Sequence, residues 1–207
     1  MREADKTWTL NNSTRASNPG NLNVNPFRWF RHYPTWPMIW CCSLLLFVAL
    51  ACLINWKFWI AALLLLGMNW LYWQRVRDHF RYGCANPAFI VSLDPMLIAV
   101  STDLTKGVGE YPVVKIIKKS LPMACCQIPQ VGSRLSTVSL YKASPDDKLP
   151  HWVNFDPRPI DCATEDMDAI QTVMSTFTDD DWNELKLWLK QVPYPFRCGL
   201  YPIKTSE

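Results

Sequence analysis

At 207 residues and a net charge of +3, the chain is sized for one or two domains. The charge is uneven: residues 1–81 hold nine Lys/Arg against three Asp/Glu, and residues 82–207 hold twelve against fifteen. The mildly acidic remainder, with no DNA- or RNA-recognition motif, excludes wholesale nucleic-acid binding, whereas the basic first part suits an anionic lipid surface.

Residues 1–26 are Asn/Ser/Pro-rich without periodicity and read as a disordered polar tail. The glycosylation triplets at Asn11 and Asn12 fall in that tail and read as part of it. Residues 27–81 read as an interfacial collar followed by a two-helix membrane hairpin. In the collar, "PFRWFRHYPTWP" (26–37) alternates aromatic and basic residues between prolines. That pattern places Trp29 and Trp36 in a headgroup layer and Arg28 and Arg31 on phosphates.

Two charge-free apolar runs follow, at 38–54 and 58–73. As helices they span roughly 24–26 Å, slightly less than the ~30 Å hydrocarbon core. Between them lies Asn55-Trp56-Lys57. Three arrangements compete: a hairpin crossing twice, a single helix of 36 residues, and a hairpin dipping into one leaflet. A single helix would hold Lys57 near its centre, at a cost of about 2.5–3.5 kcal/mol with no acid in either segment to pair it. The aromatic residues form three bands. Trp29, Trp36 and Trp40 precede the first run, Trp56 and Trp59 sit at the break, and Trp70 and Trp73 close the second. A twice-crossing hairpin produces this sequence of belts. Arg28 and Arg31 before it, and Arg75 and Arg77 after it, outweigh Lys57 at the turn. The positive-inside rule therefore predicts both termini on the cytoplasmic side of the membrane. A cleaved signal peptide does not fit, because the first run starts late and a second follows.

Residues 74–81 continue the second helix out of the bilayer, and a soluble domain is expected over 82–207. Strands are predicted at "AFIVSLD", "MLIAVSTDL", "YPVVKIIKK" and "RLSTVSLYK", with a short fifth at "HWVNFD". Two helices close the chain. The first starts at Thr164 with a stripe of Met167, Ile170, Val173 and Met174; the second is capped by Thr178 with Asp181 in a capping box and stopped by Pro193. The fold class is therefore α+β: a small curved antiparallel sheet or half-open barrel plus two C-terminal helices, attached to an N-terminal transmembrane helical hairpin.

No catalytic, cofactor or metal site emerges. The eight cysteines include three in the first apolar run, while Cys84, Cys125, Cys126, Cys162 and Cys198 read as free thiols of a reducing compartment. No close CxxC or HxxxH pair offers zinc ligands, and no spacing ties Cys84 or Cys162 to His79 or His151 as a nucleophile and base. "KGVGEYP" (106–112) lacks a phosphate-loop pattern and reads as a hairpin turn. Asp179-Asp180-Asp181 suits a helix dipole. The most site-like stretch is 151–159, which gathers His151, Trp152, Asn154, Asp156 and Arg158. It reads either as an edge strand or as a loop for a ligand or partner.

From Gly83 the succession "GCANPAFIVSLDPMLIAVSTDL … YPVVKI … VGSRLSTVSLY … HWVNFDPRPI" resembles the bacterial proteins grouped as domain-of-unknown-function family 3239. The similarity covers most of residues 83–203. It implies a bacterial setting and one recurring domain, and no activity. The function expected is a non-enzymatic interaction or scaffolding protein held in a lipid bilayer, with a protein partner or a second copy of itself. The alternatives are a membrane-bound sensor or enzyme using the 151–162 loop, and an accessory subunit of a membrane complex.

Overall fold

The computed structural model describes residues 16–106, 109–122, 128–144 and 149–204. The triplets at Asn11 and Asn12, Gly107 of the expected turn, and Cys125 and Cys126 lie outside the described residues.

Three helices come first: α1 (Pro26–His32), α2 (Thr35–Leu53) and α3 (Phe58–Tyr82). Helices α2 and α3 pack side by side, joined by a four-residue turn at 54–57. Asn55 builds that turn: its side-chain oxygen accepts from the Lys57 N–H, its own N–H donates to the Leu50 carbonyl, and its carbonyl accepts from Phe58. Ala51 and Ala62 are the buried residues in the paired stretches; small side chains there let the two backbones approach. Among the described residues one helix, Thr35–Leu53, is long and apolar enough to cross a membrane.

The remainder is an α+β domain, as expected. Strands β1 (Cys84–Leu93), β2 (Met96–Asp103), β3 (Pro112–Lys118), β4 (Arg134–Lys142), β5 (Asn154–Pro159) and β6 (Gly199–Pro202) form one antiparallel sheet in the order β5-β4-β1-β2-β3-β6. The sheet curls into a half-barrel. Lys115 of β3 reaches across to β5, where its ammonium donates to Asn154 Oδ1 at 2.9 Å and to the Phe155 carbonyl. Alternation along the strands sorts the two faces. Ile90, Ile98, Val100, Val113, Leu135 and Phe155 fill the concave side. On the convex side, Phe89, Ala99, Val114 and Ile116 lie under α5 (Asp179–Leu189), which inserts Trp182 and Leu185.

Several elements differ from expectation for identifiable reasons. Strand β1 starts at Cys84, before Pro87, because its pairing here is with β4; Pro87 lies on the other edge and costs that ladder no donor. Helix α4 (Met167–Met174) begins three residues after Thr164. The chain first makes a 3-10 turn at Ile160–Cys162, and Asp166 then caps the helix by accepting from Asp168 and Ala169. Strand β6 was not foreseen: four residues among prolines pair with Val113–Ile116 at the sheet edge, where a terminal proline is tolerated. The capping box of α5 forms as expected.

The expected tail also differs. From residue 16 on it is a strap across the domain: Leu22 is 3 % exposed, and Gly20, Asn21 and Leu22 donate to carbonyls of Gly83, Arg81 and Phe80. Collar residues 26–32 form α1. Its start is set by Asn25, whose side chain accepts from Phe27 and Arg28, and by Pro26 in the first turn.

Candidate functional site

Helix α3 is the structural link between hairpin and domain. Its last two turns pack Val76, His79 and Phe80 against Val138 of β4, Ala85 of β1 and Ile160. One unbroken helix therefore runs from the turn at 54–57 into the core of the domain.

Trp29 sits at the centre of this junction and is 2 % exposed. Its indole N–H donates to the Tyr72 hydroxyl at 2.8 Å. Its ring stacks on Tyr33 at 4.2 Å and meets Phe80 edge-on at 5.6 Å. The Arg158 guanidinium lies over the same ring at 5.2 Å. Trp29 therefore belongs to the core and is corrected from the expected headgroup layer: the strap and α3 enclose it. Arg28 departs similarly, donating to the Asp161 carbonyl and pairing with Glu165.

The other collar and belt residues remain on the outside. Trp36, Trp56, Trp59 and Trp70 are exposed, as are Arg31, Lys57, Arg75 and Arg77, with Trp40 and Trp73 half-buried.

Between the hairpin and β4–β5 lies a cavity of about 490 Å³. Its walls include Trp36, Trp40, Tyr72, Arg75, Asp156 and Arg158. Arg158 pairs with Asp156 at 2.9 Å, and Arg75 lines the same cavity beside two indole rings. His79 forms part of the lining and is 2 % exposed. Its Nε2–H donates to the Val138 carbonyl at 2.8 Å. Burial, reinforced by Arg158 and opposed by Asp156, lowers its pKa to about 3, so the ring is neutral and serves as a strut.

The 151–159 stretch divides into two neighbourhoods. His151 stacks on Tyr111 at 3.8 Å and donates from Nδ1 to the Trp152 carbonyl. Trp152 donates its N–H to Leu104 at 2.7 Å, and Lys106 lies over its ring. Asn154 is occupied by Lys115. Asp156 and Arg158 face the hairpin instead. The five residues therefore do not converge on one ligand.

No thiol–imidazole pair forms among the described residues either. His79 bonds Val138 and His151 bonds Trp152. Cys162 is fully buried, and burial pushes its thiol up to about 12, far from the thiolate that nucleophilic chemistry needs. One junction residue escaped sequence reasoning: Lys119 donates to the His32 carbonyl at 2.6 Å and lies 3.4 Å over the Tyr33 ring. The only sequence cue was Tyr33 preceding a proline at a helix end.

Comparison with known proteins adds the family and no activity. No curated protein matches the chain. The crystal structure of "a putative membrane protein from Corynebacterium diphtheriae" aligns at 19 % identity and a TM-score of 0.47, covering 57 % of this chain and 99 % of that one. The model of a family described as "Protein of unknown function (DUF3239)" matches residues 73–192. That span begins inside α3, includes β1 to β5 with both C-terminal helices, and bears out the resemblance read from Gly83 onward. The chain belongs to the DUF3239 family of proteins of unknown function.

Proposed function

We propose that this is a hairpin-anchored membrane protein in which α2 and the apolar part of α3 cross the bilayer twice. The turn at 54–57 lies on the far side, and both termini, with the domain, lie in the cytoplasm. The observation that carries the reading is the apolar exposure of the hairpin. Leu45, Leu46, Ile60, Leu63, Leu64 and Leu66 are each more than half exposed, on a scale that soluble monomers rarely show. The exposed Trp36, Trp56, Trp59 and Trp70 extend each span into the headgroup layers. Arg75, beside Trp36 and Trp40 at the cavity mouth, suits the phosphate of a lipid headgroup.

The domain acts as a non-enzymatic interaction module, scaffolding a membrane assembly or a homo-oligomer. In support, the titratable groups at the junction are committed to structure: His79, Asp156 and Arg158 hold one another's surroundings, and Cys162 is enclosed. Geometry gives no support to an enzyme built on the 151–162 loop, whose residues are divided between two neighbourhoods. Extraction in mild detergent followed by native electrophoresis with mass measurement tests the assembly claim. A species larger than one chain is expected; a lone monomer at all protein concentrations overturns it.

A further inference from the structure

The β1–β2 ladder runs from Leu93↔Met96 to Ala88↔Val100 and stops there. β1 nevertheless continues along β4 to Cys84, and β2 continues along β3 to Asp103. The two strands therefore fork over residues 84–87 and 101–103. Pro87 explains where. Ile90 exchanges hydrogen bonds with Gly132 and Ser133 on the β4 side, so by alternation Pro87 faces β2. It has no N–H to give the Ser101 carbonyl. The strap takes part of the vacated edge: the Ala85 N–H donates to Asn18 at 2.7 Å, and the Asn18 amide ties on to Thr176 at 2.8 Å.

A cavity of about 700 Å³ opens at the fork. Its floor is a closed polar network. The Asn86 amide donates to Ser139 Oγ at 2.8 Å and to the Cys84 carbonyl, and the hydroxyls of Thr102 and Tyr141 lie 2.6 Å apart. Ser101 is different. It is 4 % exposed and lines the cavity, yet its hydroxyl bonds to no described residue. The hydroxyl keeps contact with the cavity, where a ligand's donor can take the place of water. Phe177 and Trp188 form an aromatic wall.

Four carboxylates edge the opening: Asp103, Glu110, Asp181 and Glu184. Asp103 is fixed by accepting from Thr105 and Tyr111, and Asp181 by the capping box. Neither Glu110 nor Glu184 is bonded to a described residue. Burial, then the charges of Asp181, Asp103 and Glu110, raise the Glu184 carboxyl above its usual range. Among the described residues no three acidic, histidine or cysteine side chains come together as a metal-ligand set. The carboxylates are spread around a large opening and suit an extended ligand.

We propose that the fork between β1 and β2 binds an organic cation, an ammonium or guanidinium group on an aliphatic stem. The charge sits at Glu184 and Glu110, the stem lies along Phe177 and Trp188, and an N–H donor reaches Ser101. Cation–π attraction to the indole adds to the carboxylate contact. The same chemistry is offered by a free diamine and by a Lys or Arg side chain of a partner. The claim is independent of how the hairpin is oriented.

The test uses the full chain in detergent, titrated by calorimetry with 1,5-diaminopentane in one arm and a short peptide containing a single lysine in the other. Saturable binding in either arm is expected. Binding of the diamine alone identifies a small-molecule site, and binding of the peptide alone identifies a partner's side chain. Glu184→Gln and Ser101→Ala should each weaken that binding roughly ten- to a hundredfold, the range for losing one hydrogen bond to a charged group. Asp168→Asn, on α4 away from the cavity, should leave it unchanged. Ser101→Ala removes a cavity-facing hydroxyl that bonds to no described residue, so the variant should fold as well as the parent. Absence of saturation in both arms overturns the proposal. So does binding that falls equally in Asp168→Asn and Glu184→Gln, which would mean diffuse charge attraction.

Discussion

Truncating Trp29 to Ala separates a core tryptophan from an interfacial one. A tryptophan buries about 150–250 Å², which at ~25 cal/mol per Å² gives about 4–6 kcal/mol, and measured Trp→Ala changes in cores run about 3–5 kcal/mol. The contacts place Trp29 at the upper end. It is 2 % exposed, stacks on Tyr33 and lies beneath Arg158. The hydrogen bond to Tyr72 adds little, because the half-exposed Tyr72 hydroxyl can turn to water. For a chain of 150–250 residues each kcal/mol moves the melting temperature by about 2–4 °C, so the expected drop is roughly 6–20 °C. Differential scanning fluorimetry of the purified chain in one detergent, at a fixed scan rate, reads it. Trp36→Ala and Trp56→Ala, at exposed positions, are the matched controls and should move it little. A Trp29→Ala shift no larger than that of Trp36→Ala would refute the placement of Trp29 in the core.

Gly83 links α3 to β1, and a Cβ there would lie 2.4 Å from the His79 carbonyl oxygen and 2.9 Å from that of Ser139. Backbone atoms cannot step aside, so Gly83→Ala should destabilise by at least the ~1–3 kcal/mol typical of overpacking, read as a lowered midpoint in denaturant. Thr178→Ala removes one side of the α5 capping box and should cost about 1 kcal/mol in the same assay. His79 titrates near 6.5 unfolded and about 3 folded, so below 6.5 the unfolded chain binds the extra proton. Its stabilising contribution is complete above pH 6.5 and is lost as pH falls toward 3, at about 1.4 kcal/mol per pH unit. His32, lowered to about 4 by burial and nearby cations, acts with the same sign but is more exposed. Denaturant melts between about pH 5 and 7 should show this slope in the parent and a flatter one in His79→Gln; parallel slopes would count against the burial of His79.

Period and capping made much of the domain readable. Alternation in "MLIAVSTDL" and "RLSTVSLYK" gave β2 and β4, and the Thr178–Asp181 pair gave the start of α5. The errors came where tertiary context overrides local signal. Pro87 argues against a strand unless its open edge is known to face a fork. Residues 199–202 pair with β3 only because the chain returns there after α5. The strap was misread because its composition is polar, while its order comes from backbone donors meeting the carbonyls of α3's last turn. Trp29 shares its aromatic-basic context with Trp36; only the fold of α1 distinguishes the two. The 151–159 residues looked like one site because sequence proximity hides where the chain enters the sheet: His151 and Trp152 precede β5 and pack by Tyr111 and Leu104, whereas Asp156 and Arg158, two apart on the strand, share the face toward the hairpin. Ser101, Asn86 and Tyr141 gather around the fork from three strands, and no linear spacing announces that.

The central claim is that the hairpin crosses the bilayer twice, and paired accessibility tests it most directly. In sealed inside-out and right-side-out vesicles, a membrane-impermeant maleimide is applied to an Asn55→Cys chain whose Cys41, Cys42 and Cys52 are replaced by Ala. The native Cys198, exposed on the domain, serves as the internal reference. Residue 55 is expected to label only from the side opposite to Cys198. Labelling of both from the same side would contradict two crossings and leave a hairpin that enters one leaflet and returns.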